Sequence, residues 1–189
     1  MRPAVDHVHR LVRDQRPIDA VGREHRDAVL AWLASTDDVF RRVRPAVPPR
    51  HLVSYVVVTD PARSRFWLVD HRLAGRALPP GGHVEVDEDP RAAAARELHE
   101  ELGLHAAVAP FPVLTTLTTT VGPDPHEDVS LWFVAEVPDD ASPTVDATEH
   151  DGGRWWSRAE VAAAPPGALD PHFTRFVAAL DRAGDGADR

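Results

Sequence analysis

The chain has 189 residues, 43% of them hydrophobic, which suits one compact α/β domain with a modest extension and is a tight fit for two full domains. Acidic residues outnumber basic ones by 30 to 21, a formal charge of −9 that disfavours bulk capture of nucleic acid but not of a small phosphorylated molecule partnered by a divalent cation. With no cysteine, disulfides and thiolate metal sites are excluded.

The N-terminus, from Met1 to Asp6, lacks the apolar run of a signal peptide, and no stretch approaches the length that spans a bilayer. The expected location is cytoplasmic. Val5, Val8, Leu11 and Val12 recur at helical spacing until Arg16-Pro17 interrupts. Ala28, Val29, Trp32 and Leu33 form a second stripe ending near Ser35-Thr36. Pro45, Pro48 and Pro49 mark a linker. Residues 1–50 therefore form two helices and a linker covering one edge of the core, as packing, as a contact between copies in a homodimer, or as a substrate lid.

From His51 the pattern turns to strands. His51–Thr59 and Arg65–His71 are β-branched and aromatic, separated by Asp60-Pro61. Leu78-Pro79-Pro80-Gly81-Gly82 reads as a loop into a short strand near His83–Val86. Asp89-Pro90 opens a helix that runs to Leu102 and stops at Gly103. Thr115–Val121 and Val129–Val137 predict two strands joined by a Gly122–Asp128 loop, and Arg154–Trp156 a further one. Ser157 to Glu160 resembles a capping box, and Asp170-Pro171 starts a last helix to about Asp181. The main domain is 51–183, and residues 184–189 are a loose tail.

The helix after Asp89 carries the chemistry. Glu97, Glu100 and Glu101 stand at i, i+3 and i+4, so their side chains come within reach of one shared ion. Three such carboxylates repel one another until a divalent cation joins them, and hard oxygen ligands select Mg²⁺ or Mn²⁺. Ala94, Ala95, Leu98 and Leu102 are expected to pack the opposite face on the sheet.

The triplet alone could be a solvated helix face; its surroundings decide otherwise. Gly82, Glu88, Arg96, Glu97, Leu98, Glu100, Glu101, Gly103 and Leu104 match G-x5-E-x7-R-E-U-x-E-E-x-G-U, with U aliphatic, at every defined position. A chance match in a chain this long is on the order of one in ten million. The segment resembles the Nudix box of the Nudix hydrolases. It covers 23 residues, 82–104; a weaker likeness in strand and loop order runs from His51 to about Ala164, and residues 1–50 are not covered.

The resemblance implies an α/β/α sandwich with a mixed sheet, to which the N-terminal helices are added. It implies Mg²⁺, with Mn²⁺ as substitute, held by Glu97, Glu100, Glu101 and the backbone carbonyl of Gly82. Arg96 and Glu88 become a structural ion pair. The implied reaction is hydrolysis of a phosphoanhydride in a nucleoside triphosphate, or in a diphosphate linked to a sugar or second nucleoside. Some members add a carboxylate from an E-x-x-x-x-R-W stretch, which Glu149 to Trp155 resembles, making Glu149 the candidate proton acceptor; Glu127 and Asp128 compete with it.

Rival chemistries weaken. Eleven histidines invite a zinc reading, and His71, His83, His99 and His105 surround the box, but no H-E-x-x-H occurs and they read as solvated or partly packed. Ser54, Ser130 and Ser157 lack a nucleophile-elbow context. Trp132, Trp155 and Trp156 could stack a base, though strand tryptophans more often pack. A ligand-sensing module would be expected to lose box carboxylates, and the family's isopentenyl-diphosphate isomerases depend on a cysteine this chain lacks.

Overall fold

The computed structural model describes residues 2–43, 47–120, 125–148 and 150–187. Glu149, Pro45 of the expected linker, and Val121 to Asp124 of the expected strand end and loop lie outside the described residues. In chain order the elements are α1 (Pro3–Arg13), α2 (Ala20–Ser35), β1 (Arg50–Thr59), β2 (Arg65–His71), β3 (Arg76–Leu78), β4 (Gly81–His83) and α3 (Pro90–Leu102). Then follow β5 (Leu114–Thr120), β6 (His126–Glu136), β7 (His150–Ser157), α4 (Arg158–Ala163) and α5 (Phe173–Ala187).

Among the described residues seven strands form one mixed sheet. Its main path is β3-β2-β1-β6-β5, with β4 on β1 and β7 on β2. The long β1–β6 ladder is parallel, from Arg50 opposite Glu127 to Thr59 opposite Glu136; its neighbours are antiparallel. β1 also forks. Val58 and Thr59 pair with β2, whereas Val53 to Tyr55 pair with β4.

Strand alternation sorts side chains between two cores. Val129, Leu131, Phe133 and Ala135 of β6 join one cluster with α1, α2 and α3, while Trp132 and Val134 join another with Phe173 and Phe176 of α5. Helices therefore cover both faces, the expected sandwich.

The N-terminal helices do more than cover an edge. Val5, Val8, Val12, Val29 and Leu33 are at most 1% exposed and share a cluster with Leu98 and Leu102 of α3. Burial of each such side chain contributes about 1.5–3 kcal/mol.

Several expected boundaries move. The short strand lies at Gly81–His83 rather than His83–Val86, and β3 precedes it unannounced. Gly81 explains the shift: a Cβ there would collide with the Ser54 carbonyl, so glycine lets β4 close on β1 where a loop was expected. β6 begins at His126, which turns Glu127 and Asp128 from loop into strand residues. β7 begins at His150, four residues early, because Gly153 fits against the Leu68 carbonyl of β2. The last helix starts at Phe173, after a turn in which Asp170 accepts from the His172 amide at 2.7 Å, and continues past Gly184 to Ala187.

Candidate active site

Local signals hold α3 in place at both ends. Asp89 accepts from the Arg91 amide at 2.8 Å with Pro90 behind it, and Gly103 closes the helix at φ 63°. The Ser54 hydroxyl donates to the Pro90 carbonyl at 2.8 Å, fixing the helix start to β1.

The buried residues on α3 are Pro90, Ala93, Ala94, Glu97, Leu98, Glu101 and Leu102; Ala95, expected inside, is exposed. Glu97 and Glu101 lie one turn apart, directly beside the apolar stripe, so that stripe carries them under the β4 backbone. They are 9% and 7% exposed, whereas Glu100 faces solvent.

Gly82 sits against this pair. A Cβ at Gly82 would overlap the Glu97 carboxylate, so the position must stay bare for the two to meet. The Gly81 amide donates to Glu101 Oε1 at 3.2 Å, and His150 Nε2 donates to Glu101 Oε2 at 2.9 Å. Burial pushes the Glu97 carboxyl up to about 7, with Glu101 and Glu100 adding and Arg96 opposing. A buried Glu97 carboxyl pushed up in this way is short of positive charge, and a divalent cation fits that deficit.

Arg96 joins the parts. It reaches Glu88 through Nε and Nη2, both at 3.1 Å, and the His83 carbonyl at 3.1 Å. Its Nη1 contacts Glu97 at 2.7 Å and Glu100 at 3.1 Å. Glu88 also accepts from the Glu85 amide at 2.8 Å, closing the loop that leads into α3. The expected Glu88–Arg96 pair is thus present, within a wider network that touches two of the candidate ligands.

The rivals for proton acceptor separate. Glu127 is bound by Arg50 at 2.6 Å. Asp128 lies with His51, His83 and His126, whose ligand atoms and its own all fall within 4.8 Å of one another. This His/Asp cluster can coordinate a divalent metal ion, and reading the histidines as packing missed it. Its signal was faint: His51 and Asp128 each sit near the start of a strand, and the parallel register that sets them opposite one another is invisible in sequence. Burial first, then Arg41 and His51, pushes His83 down to about 3. Burial first, then Asp170, Asp128 and Glu101, raises the Tyr55 phenol far above the usual range.

His99 and His105 stack on each other, with ring centres 4.1 Å apart. Trp132 is a core residue whose indole donates to Thr116 at 2.9 Å, and Arg154 covers the Trp156 ring at 3.7 Å.

A sequence model of the NUDIX domain matches residues 49–179. The chain belongs to the Nudix hydrolase family. Its members generically hydrolyse nucleotide pyrophosphate bonds. The chain is 31% identical over 105 residues to phosphatase NudJ of Escherichia coli strain K12, covering 54% of this chain and 67% of that protein. Among solved structures, a NUDIX-family hydrolase from Clostridium perfringens aligns with TM-score 0.56 at 24% identity, over 71% of this chain and 98% of that one. The MutT protein of Methanosarcina mazei Go1 aligns with TM-score 0.59 at 20% identity, over 70% and 94%. These likenesses establish the fold of the Nudix part. No helix among the described residues is long and apolar enough to cross a membrane.

Proposed function

We propose that this Nudix hydrolase cleaves the pyrophosphate of a nucleoside diphosphate derivative, either a nucleoside triphosphate or a nucleotide joined to a sugar or second nucleoside. The observation that carries the reading is the seating of Glu97 and Glu101 against Gly81-Gly82, where two buried carboxylates and a bare backbone converge. Glu97, Glu100, Glu101 and the Gly82 carbonyl would hold Mg²⁺, or Mn²⁺ in its place. The chemistry such an ion supplies is neutralisation of pyrophosphate oxygens and acidification of a water.

The chain's own residues do the rest. Arg96 holds Glu97 and Glu100 in position, and its bond to Glu88 keeps the loop in register with the helix. His150 and the Gly81 amide orient Glu101. Glu149 accepts the proton of the attacking water as its oxygen bonds to phosphorus. The bridging P–O bond breaks, and two phosphorylated fragments leave. A carboxylate not committed to metal is the better base for this step.

The second reading is a nucleotide-sensing module that keeps the fold without turnover. Retention of all three box carboxylates favours the enzyme. Incubation of the protein with a panel of nucleotide diphosphate derivatives and Mg²⁺, with products identified by mass, tests the proposal. Two phosphorylated fragments from at least one compound support it; binding without cleavage across the panel overturns it in favour of the sensor.

A further inference from the structure

Away from the carboxylate helix, the ends of three strands converge. His51 is second in β1, His126 and Asp128 are first and third in β6, and His83 ends β4. The His51 ring lies 4.8 Å from that of His83 and 5.1 Å from that of His126. Nε2 of His51 and Nε2 of His126 stand 3.3 and 3.4 Å from the same atom, Asp128 Oδ1.

One nitrogen of His51 is committed to the backbone. Nδ1 lies 3.0 Å from the Pro48 carbonyl, which can only accept, so Nδ1 carries a hydrogen. Nε2 of the same ring faces the Asp128 carboxylate. His51 is 0% exposed, and neither its Nε2 nor Asp128 Oδ1 has a hydrogen-bond partner; Nε2 of His83 is buried in the same condition. Polar atoms gathered out of water without hydrogen-bond partners are costly unless a ligand joins them.

We propose that His51, His83, His126 and Asp128 form a second metal site, for a Zn²⁺-class transition ion, separate from the carboxylates of α3. Three imidazoles and one carboxylate are the donor set that such ions prefer, whereas Mg²⁺ prefers oxygen. Tetrahedral ligands at 2.0–2.1 Å from zinc stand about 3.4 Å apart, so atoms within 4.8 Å of one another close on an ion by small side-chain adjustments. The Nδ1 bond of His51 to a backbone carbonyl is the orienting contact that metal-bound histidines usually make. His126 also lines a surface depression of about 230 Å³ with Arg50, Thr119 and Glu127, which gives the cluster a side toward solvent. An ion here ties β1, β4 and β6 together immediately beside Gly82, without using any box carboxylate.

The test uses tag-free protein stripped by chelator and held in saturating Mg²⁺, then titrated with Co²⁺. The expected result is one equivalent bound, with the intense visible bands of a four-coordinate ion that Zn²⁺ displaces. Asp128→Asn and His126→Gln should each weaken binding about tenfold or more. Glu100→Gln should leave the bands unchanged. On the unaltered protein, one equivalent of Zn²⁺ should move three of the eleven histidine ring signals together in nitrogen–proton spectra, a readout that does not depend on any variant folding. Absence of the bands, their persistence in both cluster variants, their loss in Glu100→Gln, or ring signals unmoved by Zn²⁺ would each overturn the proposal. In the last case a proton shared between His51 and Asp128 accounts for the cluster.

Discussion

Nε2 of His150 lies 2.9 Å from Oε2 of Glu101, with the imidazole 1% and the carboxylate 9% exposed, so a buried histidine from the first position of β7 grips a carboxylate of α3. A carboxylate aimed by such a partner reaches its ion in one orientation. His150→Ala should therefore weaken the Mg²⁺ dependence of turnover by about 10–100-fold. It should also destabilise the fold by about 1–3 kcal/mol, because Glu101 loses a buried donor. Mg²⁺ titration of the rate checks the first effect and urea unfolding the second. An unchanged Mg²⁺ dependence would reduce His150 to a packing residue.

Removal of metal should abolish turnover, because carboxylates alone repel a pyrophosphate. Activity should vanish in EDTA and return with Mg²⁺ or Mn²⁺. Glu100→Gln and Glu101→Gln should lose most turnover and remain folded by circular dichroism, since each deletes a charge and little volume. Near-normal rates in both variants would mean that the ligands lie elsewhere.

Arg96 should behave differently. Arg96→Ala strips five hydrogen bonds and leaves Glu88 and Glu97 without their cation. The expected cost is about 2–3 kcal/mol of stability together with lost activity. Arg96→Lys should recover little, because an ammonium cannot reproduce the planar fork. Thermal unfolding of both variants is the measurement.

Asp170 gives a pH signature. Burial raises its carboxyl from 3.8 to about 6, against the pull of the His172 amide and Arg76. A raised folded-state value means that the associated stability is fully present below pH 3.8 and is lost as pH rises through about 6. A shift of about two units corresponds to about 3 kcal/mol. Asp170→Asn keeps an acceptor for the amide and does not titrate, so its stability between pH 4 and 6 should fall less steeply than that of the unaltered chain. Parallel slopes in urea unfolding would contradict the assignment.

Glu149→Gln should lower kcat by roughly 10²-fold with KM little changed, the pattern of a group that acts in the transition state. Glu127→Gln should have a small effect, because Glu127 is already neutralised by Arg50. The reverse ranking in steady-state kinetics would transfer the base to β6.

What could be read in advance divides along a physical line. The box residues, the capped ends of α3 and the β-branched, aromatic runs of β1 and β2 are local signals, and local signals survive in sequence. Register is not local. That β4 would close on β1 at Gly81, and that the parallel β1–β6 ladder would set His51 opposite Asp128, depends on chain segments 26 to 77 residues apart. Ala95 differs for a related reason: helical spacing alone sets the acidic and apolar stripes on opposite faces of α3, while the fold buries Glu97 and Glu101 beside Leu98.

Likeness and packing draw different borders around this protein. The family match starts at residue 49, yet Val5, Val8 and Val12 of α1 lie fully buried in the core that supports Leu98 and Leu102. A chain trimmed to the matched region would keep every residue of the box and lose one wall of the room that α3 stands in. Leu52, Val129 and Leu131 would then lose members of the cluster in which they are buried. The first two helices lie outside the family match and inside the core.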